Sequence, residues 1–529
     1  MLSRGFRNWM FDLYVGIISL IVTFSFFPYG YNYFYLLLAS KRYRIIQPKY
    51  TGKPTIAIQL PIYNEKYVVS RLVDSCIVMM DEYGRESTTL QLLDDSTDET
   101  SDLVDDLQKK YVDSGYAVNV FRRKDREGYK AGALQLALEH TEAEYIVIFD
   151  SDFAPTKSFL SQTVPYFNDP QAGIVQCRWS HINRGYNALT KAIALGIDGH
   201  FLVEQTGRFA AGCLLNFNGS AGMIRRKALE EVGGWSADTL AEDLDLSYRL
   251  QIKGYKAIYL REVNVPCEVP STIPAFKRQQ SRWARGTIQV AKQLIPQLIR
   301  SRNLTAKQKT EGVIHLTYYL VHPFMFASFI VCVIGALLQL KTVGIPIPKF
   351  ETPLATQSFA QIWSSLISQL SSVPVQWLIV YVTSVLCALA SWSFYAAVLM
   401  QQHMPFREQL RTLMTLTLLG FGISINNSIS VFKGLFVPGQ GEFKRTPKYA
   451  IERDSDTWKE KKYQIPFSRE NAMEAIAVVL GIASMAVGLA TNNLGVIPIL
   501  AWYTLSYALI SLFTLLQSEK KPPKGKISP

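Results

Sequence analysis

Five sets of side chains in this sequence have types and spacings that could act together. Asp94-Asp95 and Asp150-Ser151-Asp152 are short acidic groups. Carboxylates supply the hard oxygen ligands that Mg²⁺ or Mn²⁺ takes, and such a cation bridges phosphate oxygens. It would neutralise the charge that grows on a departing diphosphate. Glu242-Asp243 follows Ala241 in a polar turn. A carboxylate there serves either as a helix cap or as the base for an attacking hydroxyl. Gln279-x-x-Arg282-Trp283 combines an amide, a guanidinium and an aromatic face. Those groups suit sugar hydroxyls, a diphosphate and a sugar ring respectively. A basic cluster, Arg122, Arg123, Lys124, Arg126 and Lys130, precedes a helix starting near Ala131. Lys130, with Gly128 and Gly132, could bring a cation and backbone amides to a diphosphate.

Each group alone reads as a cap or a solvated charge run. Their placement argues otherwise. Thr55–Leu60, Leu90–Leu93 and Tyr145–Phe149 are short apolar runs rich in β-formers. Helical patterns such as Val68–Met80 and Thr100–Tyr111 separate them. Strands alternating with helices predict a parallel α/β sheet, whose ligands sit beyond the carboxyl ends of the strands. The two acidic groups follow two such strands. The first strand is followed by Pro61-Ile62-Tyr63-Asn64-Glu65 with no glycine-rich loop, so phosphates need a device other than glycine amides, and a carboxylate-held metal is the obvious one.

The flanks are of another kind. The 529 residues carry a formal net charge of +12 and a mean hydropathy of +0.08. Runs of about twenty apolar residues, the length that crosses a bilayer, lie near 12–39, 315–340, 374–400, 472–491 and 494–517. Much of the basic excess sits beside these runs, which points to an anionic membrane surface and away from nucleic acid. Lys41, Arg42 and Arg44 follow the first run, so the middle domain is expected on the cytosolic side. A sixth stretch, 409–436, contains Asn426 and Asn427, and crossing there would carry eight basic residues of 437–471 outside. It is expected to lie in the interface or to re-enter, giving five spans with the N-terminus out and the C-terminus in. Ala275–Arg300 mixes apolar and basic residues as an interfacial segment does. The six cysteines are scattered, with no CxxC pair, so no zinc site or disulfide framework is signalled.

Taken in order, Asp94-Asp95, Asp150-x-Asp152, Ala241-Glu242-Asp243 and Gln279-x-x-Arg282-Trp283 resemble the D, D-x-D, T-E-D and Q-x-x-R-W pattern of family 2 glycosyltransferases. The resemblance is to the processive, cellulose-synthase-like group, nearest to mannan and glucomannan synthases. Further stretches that carry it are Gln59–Glu65, Leu92–Asp98, Gly128–Leu134, Phe217–Gly222 and Val269–Phe276. It implies a GT-A type α/β domain, mixed but mainly parallel, inserted in a transmembrane helical bundle with interfacial helices.

It assigns nucleotide-sugar contacts to Asp94, Asp95, Lys130, Asp150, Gln279 and Arg282. Metal binding of Mg²⁺ or Mn²⁺ falls to Asp150 and Asp152, and catalysis to Asp243 with Glu242. Acceptor contacts fall to Trp283, Asn218 and Gly219, and a gating loop to Phe443, Thr446 and Lys448. Two positions depart from the pattern: Ala241 replaces Thr, and Arg445 stands where Val is usual.

The expected domains are an anchor at 1–45, a cytosolic GT-A domain at 46–268, interfacial helices at 269–311 and two spans within 312–408. Then come the interfacial or re-entrant stretch 409–436, a gating loop at 437–471, two spans within 472–518 and a basic tail at 519–529. No cyclic-dinucleotide receptor domain is expected after the last span. The expected activity is transfer of hexose from GDP-mannose or UDP-glucose to a growing β-linked polysaccharide, which is also translocated. The alternatives are a non-processive transferase making a glycolipid, and a transporter or scaffold with a degenerate α/β domain. Partners are the donor, the polysaccharide and the bilayer. The membrane is the plasma membrane in a microbe or the Golgi in a plant.

Overall fold

The structure is a computed structural model that describes residues 4–46, 48, 52–339, 358, 361, 364, 375–402, 404–453, 455–459, 461–467 and 471–518. The tail at 519–529, and all of the loop between the second and third expected spans except Ser358, Gln361 and Ser364, lie outside the described residues.

The middle of the chain folds around one seven-stranded sheet. Its strands are β1 (Ile56–Ile62), β2 (Thr88–Asp94), β3 (Val118–Phe121), β4 (Tyr145–Ile148), β5 (Ala172–His181), β6 (Gly222–Arg225) and β7 (Lys256–Cys267), in the order β3-β2-β1-β4-β6-β5-β7. β1 runs parallel to both β2 and β4, β2 to β3, and β5 to β7, while β6 is antiparallel to both neighbours. The sheet is therefore mixed and mainly parallel. Its central strands are continuous apolar runs because helices cover both faces. In β4, Tyr145 and Val147 enter one core cluster while Ile146 and Ile148 enter the other. Pro61 follows the last residue of β1 that pairs with β4, so its missing N–H breaks no ladder bond on that side.

The helices needed below, in chain order, are α1 (Arg4–Ser40), α2 (Val69–Tyr83), α3 (Thr100–Asp113), α4 (Tyr129–Glu139), α5 (Ala188–Asp198), α6 (Glu242–Lys253) and α7 (Ile273–Arg300). There follow α8 (Ala306–Thr317), α9 (Val321–Leu337), α10 (Val375–Met400), α11 (Phe406–Gly422), α12 (Ser424–Phe436), α13 (Ala472–Ala490) and α14 (Ile497–Gln517). Among the described residues, Ala306–Leu337, Ala472–Ala490 and Leu494–Gln517 are long and apolar enough to cross a membrane. The expected first and third spans fall on α1 and α10; the apolar part of α10 is the shorter Val385–Met400. The stretch 409–436 is two helices, α11 and α12, bent by 46° at Ile423.

These helices touch the α/β domain or α7 at one end. Tyr43, after α1, donates to the Tyr259 carbonyl at 3.1 Å. Gln402, after α10, donates to Asp198 at 2.7 Å. Lys277 of α7 pairs with Glu474 of α13 at 2.5 Å, and the Ile273 amide of α7 donates to Gln517 of α14 at 2.7 Å. The bent pair touches the domain at both ends: Glu408 meets Lys191 at 2.5 Å, and Gln440, just beyond α12, donates to the Thr239 carbonyl at 2.9 Å. In α7, Lys277 and Gln279 are both buried within the protein, and the helix packs on α12.

Candidate active site

β2 and β4 flank β1, so their carboxyl ends lie about 10 Å apart, two strand spacings. Asp95 follows β2 and Asp150 and Asp152 follow β4, on either side of a cleft of about 1200 Å³. The cleft is closed on the far side by the first turn of α6, by α7 and by the 443–448 loop. Asp95, Lys130, Asp150, Asp152, Asn218, Glu242, Asp243, Gln279, Arg282, Trp283, Phe443, Thr446 and Lys448 all line it. Gly219 supports it from beneath. Its carbonyl accepts from Lys130 at 2.8 Å, and a Cβ there would meet Asp243 Oδ2 at 2.8 Å. With φ at +74°, this is a position for glycine on both counts. Asp94 does not line the cleft; it is 2% exposed and held by Arg122 at 2.9 Å and the Ser96 amide at 3.0 Å.

The cleft is rich in paired charge. Arg123 grips Asp95 with two bonds, at 2.5 and 3.1 Å, and Arg126 lies 3.7 Å away while stacking on the Tyr63 ring at 3.3 Å. Lys130 pairs with Asp150 at 2.5 Å, with Glu242 at 3.9 Å. Lys448 pairs with Asp152 at 2.6 Å and donates to the Glu268 carbonyl at 3.3 Å. The Tyr449 amide donates to Glu268 at 2.9 Å, fixing the loop. Arg282 lies over the Phe443 ring at 4.9 Å. Buried polar atoms without a hydrogen-bond partner among the described residues surround the cavity: Gln279 Oε1, Arg282 Nε, Thr446 Oγ1 and Glu268 Oε2. Groups left this way normally await a polar ligand or water.

Asp243 stands apart from the paired carboxylates. Its Oδ1 accepts a hydrogen bond from the Leu244 amide, at 2.8 Å, in its own helix turn. Burial pushes its carboxyl up to about 7, the negative Glu242 adds to the rise, and Lys130 and Arg282 oppose it. A general base is most effective when its pKa lies near the working pH. Gly286 of α7 lets the helix bearing Arg282 and Trp283 approach this turn: a Cβ there would lie 2.9 Å from Ala241 Cβ and from the Leu240 carbonyl carbon.

Among the described residues no group of three or more His, Cys, Asp and Glu could hold a metal. Of the carboxylates that line the cleft, Asp150 and Asp152 form a set one residue apart just beyond β4. That set suits Mg²⁺ or Mn²⁺, which is commonly bound by one or two carboxylates and completed by substrate phosphates and water.

Sequence reasoning missed Tyr63, Trp179 and Glu268, which line the cleft, while Arg126, named there only within a basic cluster, lines it too. Tyr63 was within reach, as it follows β1 directly. Glu268 directly follows β7, a strand that carried no recognised signal. A second cavity, of about 1680 Å³, shares Trp179, Asn218, Asp243 and Trp283 with the first and runs among the apolar helices past Tyr33, Phe201, Tyr319 and Phe394.

Residues 145–401 match the family described as Glycosyl transferase family group 2. The chain is 34% identical over 283 residues to probable glucomannan 4-beta-mannosyltransferase 10 of Arabidopsis thaliana, covering 53% of this chain and 50% of that protein. It is 33% identical over 305 residues to glucomannan 4-beta-mannosyltransferase 1 of Oryza sativa subsp. japonica, covering 55% and 57% respectively. The matches thus span about half the length of these curated relatives. Among solved structures, the mannosyltransferase PcManGT from Pyrobaculum calidifontis, in complex with GDP-Man and Mn2+, is similar with a TM-score of 0.48 at 21% identity, covering 71% of this chain and 98% of that one.

Proposed function

From the match of residues 145–401 to the family described as Glycosyl transferase family group 2, we propose that the chain is an inverting membrane hexosyltransferase that extends a β-linked mannan, glucomannan or glucan. The donor is GDP-mannose or UDP-glucose, and the names of the plant relatives favour mannosyl transfer. The observation that carries this reading is the meeting of Asp95, Asp152, Asp243, Arg282 and Trp283 in one cleft, although they come from distant parts of the chain.

In this reading Tyr63, Arg126 and Asp95 hold the nucleoside end. Lys130, Gln279 and Arg282 hold the diphosphate. Asp150 and Asp152 would hold Mg²⁺ or Mn²⁺, which supplies neutralising charge to the leaving diphosphate when bound. Asp243 takes the proton of an acceptor hydroxyl. The hydroxyl oxygen forms its bond to the anomeric carbon on the face opposite the diphosphate. The bond from that carbon to the phosphate oxygen breaks, and its electron pair leaves with the nucleoside diphosphate. One displacement inverts the anomeric centre. Trp283 offers its ring to the acceptor sugar at the wall between the two cavities. Phe443, Thr446 and Lys448 close over the donor and keep water out.

The expected domains keep their places in this proposal: the catalytic domain at 46–268 lies against the cytosolic leaflet, and 437–471 lies beside it. Since both ends of the bent pair touch the domain, 409–436 enters and leaves on that one side. The second cavity carries the glycan into the bilayer.

The test is purified protein in lipid with Mg²⁺ or Mn²⁺ and a panel of radiolabelled nucleotide sugars, followed by linkage analysis. A β-linked oligomer series is the expected product. A single glycolipid would replace the polymerase reading with the non-processive one, and no transfer from any donor would end both.

A further inference from the structure

A separate open cavity of about 1530 Å³ lies at the seam between the α/β domain and the apolar helices, away from the catalytic cleft. Its walls carry four cations: Arg178 on β5, Arg184 just beyond β5, Lys191 on α5 and Arg261 on β7. Three carboxylates answer three of them. Arg184 pairs with Asp198, Arg261 with Glu262 at 3.0 Å, and Lys191 with Glu408 at 2.5 Å. Arg178 has no carboxylate partner among the described residues; its Nε donates to the Arg261 carbonyl at 2.9 Å. The cavity therefore holds one uncompensated guanidinium, and an anion is what would balance it.

The surroundings say which kind. The rim is the end of α10 and the start of α11. There Met400 and Phe406 are apolar yet 72% and 78% exposed. The outward stripe of α10 that leads to the rim, Val382, Val385, Leu389 and Trp392, is exposed as well. A side of the protein that is apolar along an exposed helix and basic at its end matches a phospholipid, with acyl chains beside the helix and a phosphate at the end. Further charge follows in sequence. Arg261 stacks on the Tyr43 ring at 4.8 Å, and Tyr43 belongs to a run with the exposed Lys41, Arg42 and Arg44. Arg407 and Arg411, also exposed, stand on the same turns of α11 as Glu408 and Thr412, which line it.

We propose that this cavity binds the headgroup phosphate of an anionic phospholipid from the leaflet that faces the α/β domain, with Arg178 as the phosphate-binding residue. A guanidinium fits a phosphodiester with two parallel hydrogen bonds. The flanking cations raise the local concentration of anionic lipid and are screened by salt. The site is independent of the transfer reaction, so it stands or falls apart from the catalytic reading.

The test uses the full chain in nanodiscs of phosphatidylcholine alone or with phosphatidylglycerol, with co-purifying lipid counted by native mass spectrometry after transfer to detergent. Wild type is expected to retain phosphatidylglycerol over phosphatidylcholine. Arg178→Gln should lose about fivefold of that preference, the change that one basic residue near an anionic headgroup brings. Arg302→Gln, which removes an exposed cation elsewhere, should lose none. If Arg178→Gln does not fold, the double variant Arg407→Gln/Arg411→Gln keeps the test open, with a loss of preference expected from these exposed positions. Equal retention of the two lipids by wild type overturns the proposal. So does full retention by the variants. Inorganic phosphate is the third arm: if it stabilises the protein against heat as well as phosphatidylglycerol does, and in an Arg178-dependent way, the ligand is a soluble anion and the lipid assignment falls.

Discussion

Asp243 and the charged groups around it carry the sharpest expectations. Burial and Glu242 favour its protonated form, so the active carboxylate is present above about pH 7 and lost below it. On the proposed mechanism, kcat/KM falls about tenfold per pH unit on the acid side of that value. Asp243→Asn should lower transfer by roughly 10²–10⁴-fold, the usual share of a general base, while titration of the nucleoside diphosphate gives an unchanged Kd. Transfer near the wild-type rate would remove Asp243 from the base role. Chelating divalent cations should stop turnover, measured as release of nucleoside diphosphate, and full turnover in chelator would contradict the role given to Asp150 and Asp152. The acidic positions were legible in the sequence because their residue type and their place after β-rich runs both mattered. Tyr63 with Arg126, and Glu268 with Tyr449, were not. Each pair is made across the fold, by residues 63 and 181 positions apart that no local pattern links.

At the level of elements, the site depends on how closely α7 lies against the first turn of α6. Gly286 has no room for a methyl group on that face, where backbone atoms of Leu240 and Ala241 stand 2.9 Å from the added carbon. Gly286→Ala should destabilise the protein by about 1–3 kcal/mol, as overpacking does, and lower transfer by moving Arg282 and Trp283 away from Asp243. A thermal melt in detergent and a rate assay read the two effects, and an unchanged melt with unchanged rate would show that α7 is free to shift. β1, β2 and β4, with helices between them, were readable from apolar runs and the helical spacing. β3, β5, β6 and β7 were not, because β3 and β6 span only Val118–Phe121 and Gly222–Arg225 and β7 mixes charged with apolar residues along its length. The long helix α7 was legible as a helix, but its surroundings were not. Lys277 looked like a membrane-surface cation and is instead paired with Glu474 inside the protein.

For the whole molecule, the contacts tie 437–471 to the α/β domain: Arg71 meets Glu452 at 2.6 Å, Lys462 meets Glu99 at 2.6 Å and Arg445 meets Glu65 at 3.3 Å. A protease site placed near Asp456 and one placed near Ser114 should therefore be cut from the same side of sealed vesicles. Cleavage from opposite faces would show that 409–436 crosses. Charge beside the apolar runs had already pointed to this arrangement, since basic residues fill 437–471. What charge could not show is that two cavities meet at Trp179, Asn218, Asp243 and Trp283. That shared wall has a kinetic meaning for the proposed polymerase. Older sugars of a chain lie past Trp283 when the newest is joined at Asp243, so the molecule that made one linkage already holds the substrate for the next. Unlabelled acceptor added in excess during synthesis then leaves the lengths of chains already begun unchanged.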